Sequence, residues 1–249
     1  MARTDEVWKS EAVVQTFLQG VRGGIPLAAE QIDVMLRLIA DCNLPIVRFA
    51  DLGCGNGVLA AAILARYPQA LGDLIDFSEP MLAQARLELQ AQAAQVRFVT
   101  ADLALADWAH TVADHAPFDV IVSGFAIHHL QHIRKQQLYR EVFDLLRAGG
   151  VFVNVEHVAS QSARDEVIFH ENMIDSLYEF HSRTGSGKSR AQVTDDYLQR
   201  SDKAANILAP VEMQCAWLRD IGYQDVDCYL KIFELAVFAG RCPAERGAP

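Results

Sequence analysis

Ile46-Val47-Arg48-Phe49-Ala50-Asp51-Leu52-Gly53-Cys54-Gly55-Asn56-Gly57 is the stretch of this 249-residue chain from which the fold is read. Its apolar start predicts a strand over Ile46–Asp51. Glycines at alternate positions then predict a tight turn, because they accept φ > 0 and let backbone pass close to a ligand. A helix, Val58–Tyr67, follows without a linker, so its unpaired N–H groups face the same place. Strand, glycine turn and helix together imply a nucleotide-type cofactor site.

Outward from that turn, strand and helix patterns alternate as in a parallel sheet covered on both faces. Strands are expected at Leu71–Asp76, Val96–Thr100, Phe118–Ser123 and Val151–Val158, and helices at Pro80–Ala94, Asp107–Asp114 and Gln131–Arg147. Ser78 caps the first of these helices, with Glu79 and Pro80 in its first turn. Gly149-Gly150 reads as the end of the last. Two strands, Gln224–Leu230 and Ile232–Ala239, close the pattern, with a bulge or bend expected at Lys231. Helical segments flank the core at Trp8–Gln19, Ala28–Asp41, Ala163–Asn206 and Pro210–Asp220, the last broken by Gly222. The expected class is α/β: a Rossmann-like, doubly wound, seven-stranded sheet with a terminal antiparallel hairpin and a helical lid. A single domain, 1–249, then divides into an N-terminal lid segment (1–45), a cofactor-binding core (46–160), a lid insertion (161–209) and a closing helix and hairpin (210–240).

Composition narrows the partners. With 22 basic and 32 acidic residues the net charge is −10, so the chain repels phosphate backbones and nucleic acid is not an expected partner. No apolar run nears the ~18–20 residues of a membrane span, so no membrane partner is expected. The N-terminal stretch, with Asp5, Glu6, Lys9 and Glu11, lacks the apolar centre of a secretory leader. Cys42, Cys54, Cys215, Cys228 and Cys242 show no paired or metal-type spacing and read as thiols of a reducing cytoplasm. The expected location is therefore cytoplasmic. Arg183–Ser189 ends in Gly-Lys-Ser like a phosphate-binding loop, but Ser182 replaces the leading glycine and no strand precedes it; a loop between lid helices is the better reading. His128 and His132 share one helical face, yet with no third ligand evident no metal is expected.

The acidic residues fall at C-terminal strand ends, the edge where open α/β sheets bind ligands. Asp51 precedes the turn. Asp76, followed by Phe77, ends the second strand, where an acid accepts ribose hydroxyls. Asp102, between Ala101 and Leu103, follows the third, where it can meet an adenine amino group. Nicotinamide enzymes use the same ribose device, so these residues alone leave that alternative open. The spacing Gly-x-Gly-x-Gly, in place of Gly-x-Gly-x-x-Gly, speaks against it.

On Asp51–Gly57, Leu74–Met81, Val99–Leu103, Phe118–Leu130 and Leu145–Val158, in that order, the chain resembles the class I S-adenosylmethionine-dependent methyltransferases. Gln224–Ala239 is similar to their closing hairpin. The resemblance implies S-adenosyl-L-methionine as cofactor and S-adenosyl-L-homocysteine as product. It implies that Asp51, Gly53, Cys54 and Gly55 pass under the methionine part. Asp76 would hold the ribose, with Phe77 and Met81 also on the cofactor. Ala101, Asp102 and Leu103 would frame the adenine, and Ser123 and Gly124 would line the sulfonium side.

A narrower resemblance lies outside the core. Phe17-Leu18-x-x-Val21-Arg22-x-x-Ile25-Pro26 and the tail from Tyr197 to Gly240, with Arg200-Ser201, are similar to carboxy-S-adenosylmethionine synthases. It implies that Arg200 grips a carboxylate in a bidentate pair. The chain departs from that group at Leu27-Ala28 (Gly-Tyr in the synthases), at Gly124 (Asn) and at His128-His129 (Gln-Phe). Those departures leave open a methyltransferase in which Arg22 or Arg200 grips an acidic substrate, with His157 on the substrate side.

Methyl transfer is an in-line displacement that needs a positioned nucleophile and, for an O–H or N–H acceptor, a base. His128, His129 and Glu156 are the candidate bases. The expected function is methyl transfer to a small molecule, a carboxylate-bearing one among the options. The alternatives are a synthase or user of carboxy-S-adenosylmethionine, and a non-catalytic cofactor-binding protein. An apolar lid with Phe169, Met173, Leu177, Tyr178 and Phe180 is compatible with a homodimer and equally with a closed monomer.

Overall fold

The computed structural model describes residues 3–244. Among them one sheet contains seven strands: β1 (Arg48–Leu52), β2 (Leu71–Asp76), β3 (Val96–Thr100), β4 (Phe118–Gly124), β5 (Leu146–His157), β6 (Gln224–Ile232) and β7 (Leu235–Arg241). Their order is β3-β2-β1-β4-β5-β7-β6. The first five are parallel, and β7 runs antiparallel to both β5 and β6. Because β1 pairs with β2 on one side and β4 on the other, the winding reverses at β1, and the crevice beyond its C-terminal end is where this architecture binds ligands.

The helices are α1 (Glu11–Thr16), α2 (Ala28–Ala40), α3 (Val58–Arg66), α4 (Glu79–Glu88), α5 (His132–Leu145), α6 (Ala163–Arg183), α7 (Arg190–Leu198) and α8 (Val211–Ile221). One face of the sheet packs Phe152, Ile121 and Phe238 against Tyr139 of α5 and Leu218 of α8. The other packs Phe49, Val120 and Val153 against Met35 and Ile39 of α2 and Ile63 of α3. A third apolar cluster, with Phe169, Met173, Leu177, Val193 and Tyr197, belongs to the lid. Among the described residues no helix is long and apolar enough to cross a membrane.

The seven-stranded, doubly wound sheet with its terminal antiparallel hairpin matches the expectation; several boundaries differ. The chain passes directly from α5 into β5, whose Leu146 already pairs with Phe118, so Gly149 (φ 78°) bends a strand instead of ending a helix. The terminal turn falls at Phe233-Glu234 rather than at Lys231. Lys231 pairs with Ala236 on the exposed edge strand, and the register shifts lie earlier, between Gln224 and Asp227 and between Cys228 and Leu230. The expected helix over Trp8–Gln19 is broken into a 3-10 turn (Thr4–Lys9), α1 and a π turn (Phe17–Val21). The expected helix over Asp107–Asp114 is a 3-10 turn, Ala106–Thr111. Thr184–Lys188, in the stretch that mimics a phosphate loop, is the exposed connection between α6 and α7. Ser189 forms a capping box with Gln192 at the start of α7.

Candidate functional site

A cavity of about 360 Å³ lies over the glycine turn and is walled by the N-terminal segment, the strand ends and the lid. The turn permits this by its lack of side chains. Gly53 has φ 64°, and a Cβ there would stand 2.2 Å from the Ala126 methyl, so only glycine lets the 125–129 loop lie across the turn. Asp76 ties β2 to the same turn: its Oδ2 accepts the Gly55 N–H at 2.9 Å and its Oδ1 the Ser78 N–H at 2.8 Å. Burial nevertheless raises this carboxyl to about 6. Each oxygen keeps a lone pair for a ligand hydroxyl.

Asp51 accepts the Ala60 N–H through Oδ2 at 3.2 Å, while Oδ1 is buried with no hydrogen-bond partner among the described residues. Burial raises this carboxyl to about 7. Arg22 lines the cavity with it and makes no hydrogen bond or ion pair among the described residues. Burial lowers the Arg22 pKa, and Asp51 is the charge that acts against this. Unpartnered groups of both signs in one low-dielectric space are costly unless a ligand completes them.

Cys54, Phe77, Met81, Ala101, Leu103 and Gly124 also line the cavity. Asp102 lies at its rim inside the fork of Arg3, and its Oδ1 accepts the Ala104 N–H at 2.9 Å. Burial raises this carboxyl, but Arg3 and that N–H outweigh it and hold the group low. Nothing in the sequence marked Arg3, because it reaches Asp102 only through the fold of the N-terminal segment. Trp8, also missed, lines the cavity and packs on Phe17 and His129 at ring distances of 5.2 and 5.9 Å.

On the far side stand His128, His129 and His157. His128 Nδ1 lies in hydrogen-bond contact with Glu156 Oε1 at 2.7 Å, and the same oxygen accepts the His157 backbone N–H at 2.9 Å. With Glu156 ionised, Oε1 accepts from both, which places the proton on Nδ1 and leaves Nε2 as the free base. Burial raises Glu156 and lowers His128, which keeps the imidazole neutral at pH 7. His129 packs 4.0 Å from the His128 ring, and burial lowers it to about 3. His157 is held through Nε2 by Glu234 at 2.8 Å.

Two expected site residues lie beneath the cavity and do not line it. Ser123 is fully buried and donates to the Leu52 carbonyl at 2.8 Å, stitching β4 to β1. Glu156 is likewise fully buried and reaches the cavity only through His128. His132 turns away to the Leu208 carbonyl and Trp217. A side chain at 124 would meet Leu59 Cδ1 at 2.8 Å, which is why glycine stands there. Leu27 holds a left-handed φ of 53° at the start of α2, a conformation that suits the glycine of the synthases better than leucine.

Residues 49–150 match the family described as methyltransferase domain. Over this stretch the chain is similar to that family. The stretch carries the glycine turn, Asp76, Asp102 and both candidate histidines. Over a longer span the chain is 22% identical to a carboxy-S-adenosyl-L-methionine synthase of Nautilia profundicola, covering 92% of this chain and 91% of that one. A trans-aconitate 2-methyltransferase of Acidovorax sp. (strain JS42) is 46% identical, but over 31% of this chain and 28% of its own length. Among solved structures, phosphoethanolamine N-methyltransferase 2 of Haemonchus contortus in complex with S-adenosyl-L-methionine shares the fold at a TM-score of 0.64. Its identity is 12%, with 98% of this chain and 60% of that chain covered. An O-methyltransferase family protein from Burkholderia thailandensis aligns at a TM-score of 0.57 and 15% identity, over 86% of this chain and 58% of its own. The chain thus spans about three fifths of these structural relatives, and its fold is that of S-adenosylmethionine-dependent methyltransferases.

Proposed function

We propose that this protein transfers a methyl group from S-adenosyl-L-methionine to an O–H or N–H group of a small molecule. The observation that carries the reading is the His128–Glu156 pair: a neutral base, held in one tautomer, on the same cavity as the glycine turn and Asp76. The residues present fit the cofactor. Among the described residues neither Asp51 Oδ1 nor Arg22 has a hydrogen-bond partner, as receptors for an ammonium and a carboxylate have none before the ligand arrives. Bound there, the cofactor supplies a methyl group activated by its sulfonium.

Asp76 takes the ribose hydroxyls. Arg22, expected on the substrate, is better assigned to the amino-acid end, because Asp51 is the charge that acts on it. A guanidinium matches a carboxylate in two parallel hydrogen bonds, and Asp51 takes the ammonium. His128 Nε2 receives the acceptor's proton. Glu156 then faces an imidazolium and stabilises it, its other oxygen held by Asn154 Nδ2 at 3.3 Å. Trp8, Phe169, Met173 and Tyr197 wall this side and keep water from the transfer.

A second reading, a carboxy-S-adenosyl-L-methionine synthase or a user of that cofactor, has the near full-length similarity to such synthases in its favour. Against it stand Leu27, Gly124 and the His128-His129 pair. The test uses methyl-labelled S-adenosyl-L-methionine and a small-molecule extract. Purified protein should release S-adenosyl-L-homocysteine and label a low-mass product. His128→Ala should slow that release by about 100-fold or more while the product still binds. Binding without release in any extract would reduce the protein to a cofactor-binding module, and formation of carboxylated cofactor would establish the second reading.

A further inference from the structure

Arg200 and Asp202 both line the cavity, their side chains 18% and 13% exposed. The Arg200 guanidinium forks onto Asp202, with Nε to Oδ1 at 3.1 Å and Nη2 to Oδ2 at 2.9 Å. Its Cζ lies 5.4 Å from the centre of the Tyr197 ring, so the fork is held from below as well. The Arg200 charge is felt at His128, so fork and base share one compartment.

A bidentate pair occupies the donor face that a ligand carboxylate needs. A partner two residues away in the chain is a permanent competitor, present at an effective concentration of roughly millimolar or above. A ligand carboxylate would have to evict Asp202 and then lie beside it, charge against like charge in a largely buried place. The contrast with Arg22 is direct: of these two guanidinia, one is open and the other is filled from within.

We propose that Asp202 is a specificity residue that fills Arg200 and so closes the acceptor compartment to carboxylates, leaving molecules with an uncharged hydroxyl or amine as the class accepted there. The inference rests on the methyltransferase reading, and it turns the cavity away from the carboxylated cofactor.

Calorimetry on the full chain tests it, with S-adenosyl-L-methionine and carboxy-S-adenosyl-L-methionine as probes. The wild type should bind the plain cofactor at least tenfold more tightly. Asp202→Ala should shift that ratio tenfold or more toward the carboxylated probe. Asp202→Asn, which keeps the size of the side chain, should shift it the same way, and adding Arg200→Ala should abolish the gain. Equal or tighter binding of the carboxylated probe by the wild type overturns the proposal. So does a ratio unchanged in both single variants while the plain cofactor still binds; that second outcome leaves the methyltransferase reading standing, whereas tighter binding of the carboxylated probe by the wild type favours the carboxylated-cofactor reading over it. A wild type that fails to bind the plain cofactor overturns that reading and the proposal with it.

Discussion

A carboxyl with one bound oxygen and one bare oxygen, both out of water, makes Asp51 sensitive to pH. Burial raises it from 3.8 to about 7. Below that pH the free protein holds a proton that must leave before Asp51 can receive an ammonium group. Affinity for S-adenosyl-L-homocysteine should therefore weaken as pH falls from 7.5 to 5.5, by about tenfold per unit at the limit, and Asp51→Asn should remove the fall above about pH 6, leaving the part that belongs to Asp76. The stability of the free protein moves the other way. A raised carboxyl binds a proton in the folded state that the unfolded state does not, so the Asp51 share of stability grows as pH falls from about 7 toward 4. His129 opposes this below about 6.5, because burial holds its folded pKa near 3. The wild type must therefore be read against Asp51→Asn to isolate the carboxyl. Arg22 gives a second readout. Arg22→Met should cost S-adenosyl-L-homocysteine about 10- to 100-fold in affinity, in line with loss of a charge-assisted pair, and leave 5′-methylthioadenosine, which has no amino-acid end, nearly unaffected. Equal losses for both ligands would place Arg22 elsewhere.

At the scale of elements, Lys135 holds the base in position. It is fully buried in α5, and its ammonium donates to the carbonyls of Leu130, of Ile207 at 2.7 Å and of His128 at 3.4 Å. The His128 carbonyl also accepts the Ile207 N–H at 2.8 Å. One side chain thus pins the base-bearing loop to the lid tail, at the expense of a pKa that burial lowers to about 8. Lys135→Met should leave these carbonyls underpaired and cost about 1–3 kcal/mol in chemical denaturation. Methyl transfer should fall further than cofactor affinity, since the glycine turn and Asp76 are untouched; equal falls in both would defeat the assignment. No local pattern marks this lysine, which sits in a polar helix among Arg134, Gln136 and Gln137. What was legible were features written in short-range chemistry: β2 and β3 to the residue, the Ser78 cap, the turn of Gly53 to Gly57 and the acids at strand ends. What was not depends on contacts made across the fold. Glu156 could be picked out as an acid at a strand end, but its place behind His128 could not. Asp202 lies two residues from Arg200, yet the fork exists only because the 3-10 turn Ser201–Ala205 brings the two together.

For the molecule as a whole, the cavity is assembled from three parts that are distant in sequence: the N-terminal segment, the strand ends and the lid. The two roof pieces also touch each other. Thr4–Lys9 packs on Ser201–Ala205, α6 packs on Arg22–Gly24, and Gly23 lies so close to Phe180 that a Cβ would stand 2.3 Å from its ring. A ligand that satisfies Arg22 from below should therefore stiffen both roof pieces together. Saturation at 100 times Kd adds about 2.7 kcal/mol, or on the order of 5–11 °C in melting temperature for a chain of this size. Hydrogen exchange with and without S-adenosyl-L-homocysteine should show gained protection in residues 4–24 and in 190–206 as well as at the glycine turn, and little change in the β6–β7 hairpin. The hairpin makes no wall of the cavity except through Leu235. With Arg22→Met, protection should persist at the turn, where Asp76 still holds ribose, and fade in both roof segments at once. Protection that fades in 4–24 alone would mean that the two pieces close independently and that the contact between them carries no coupling.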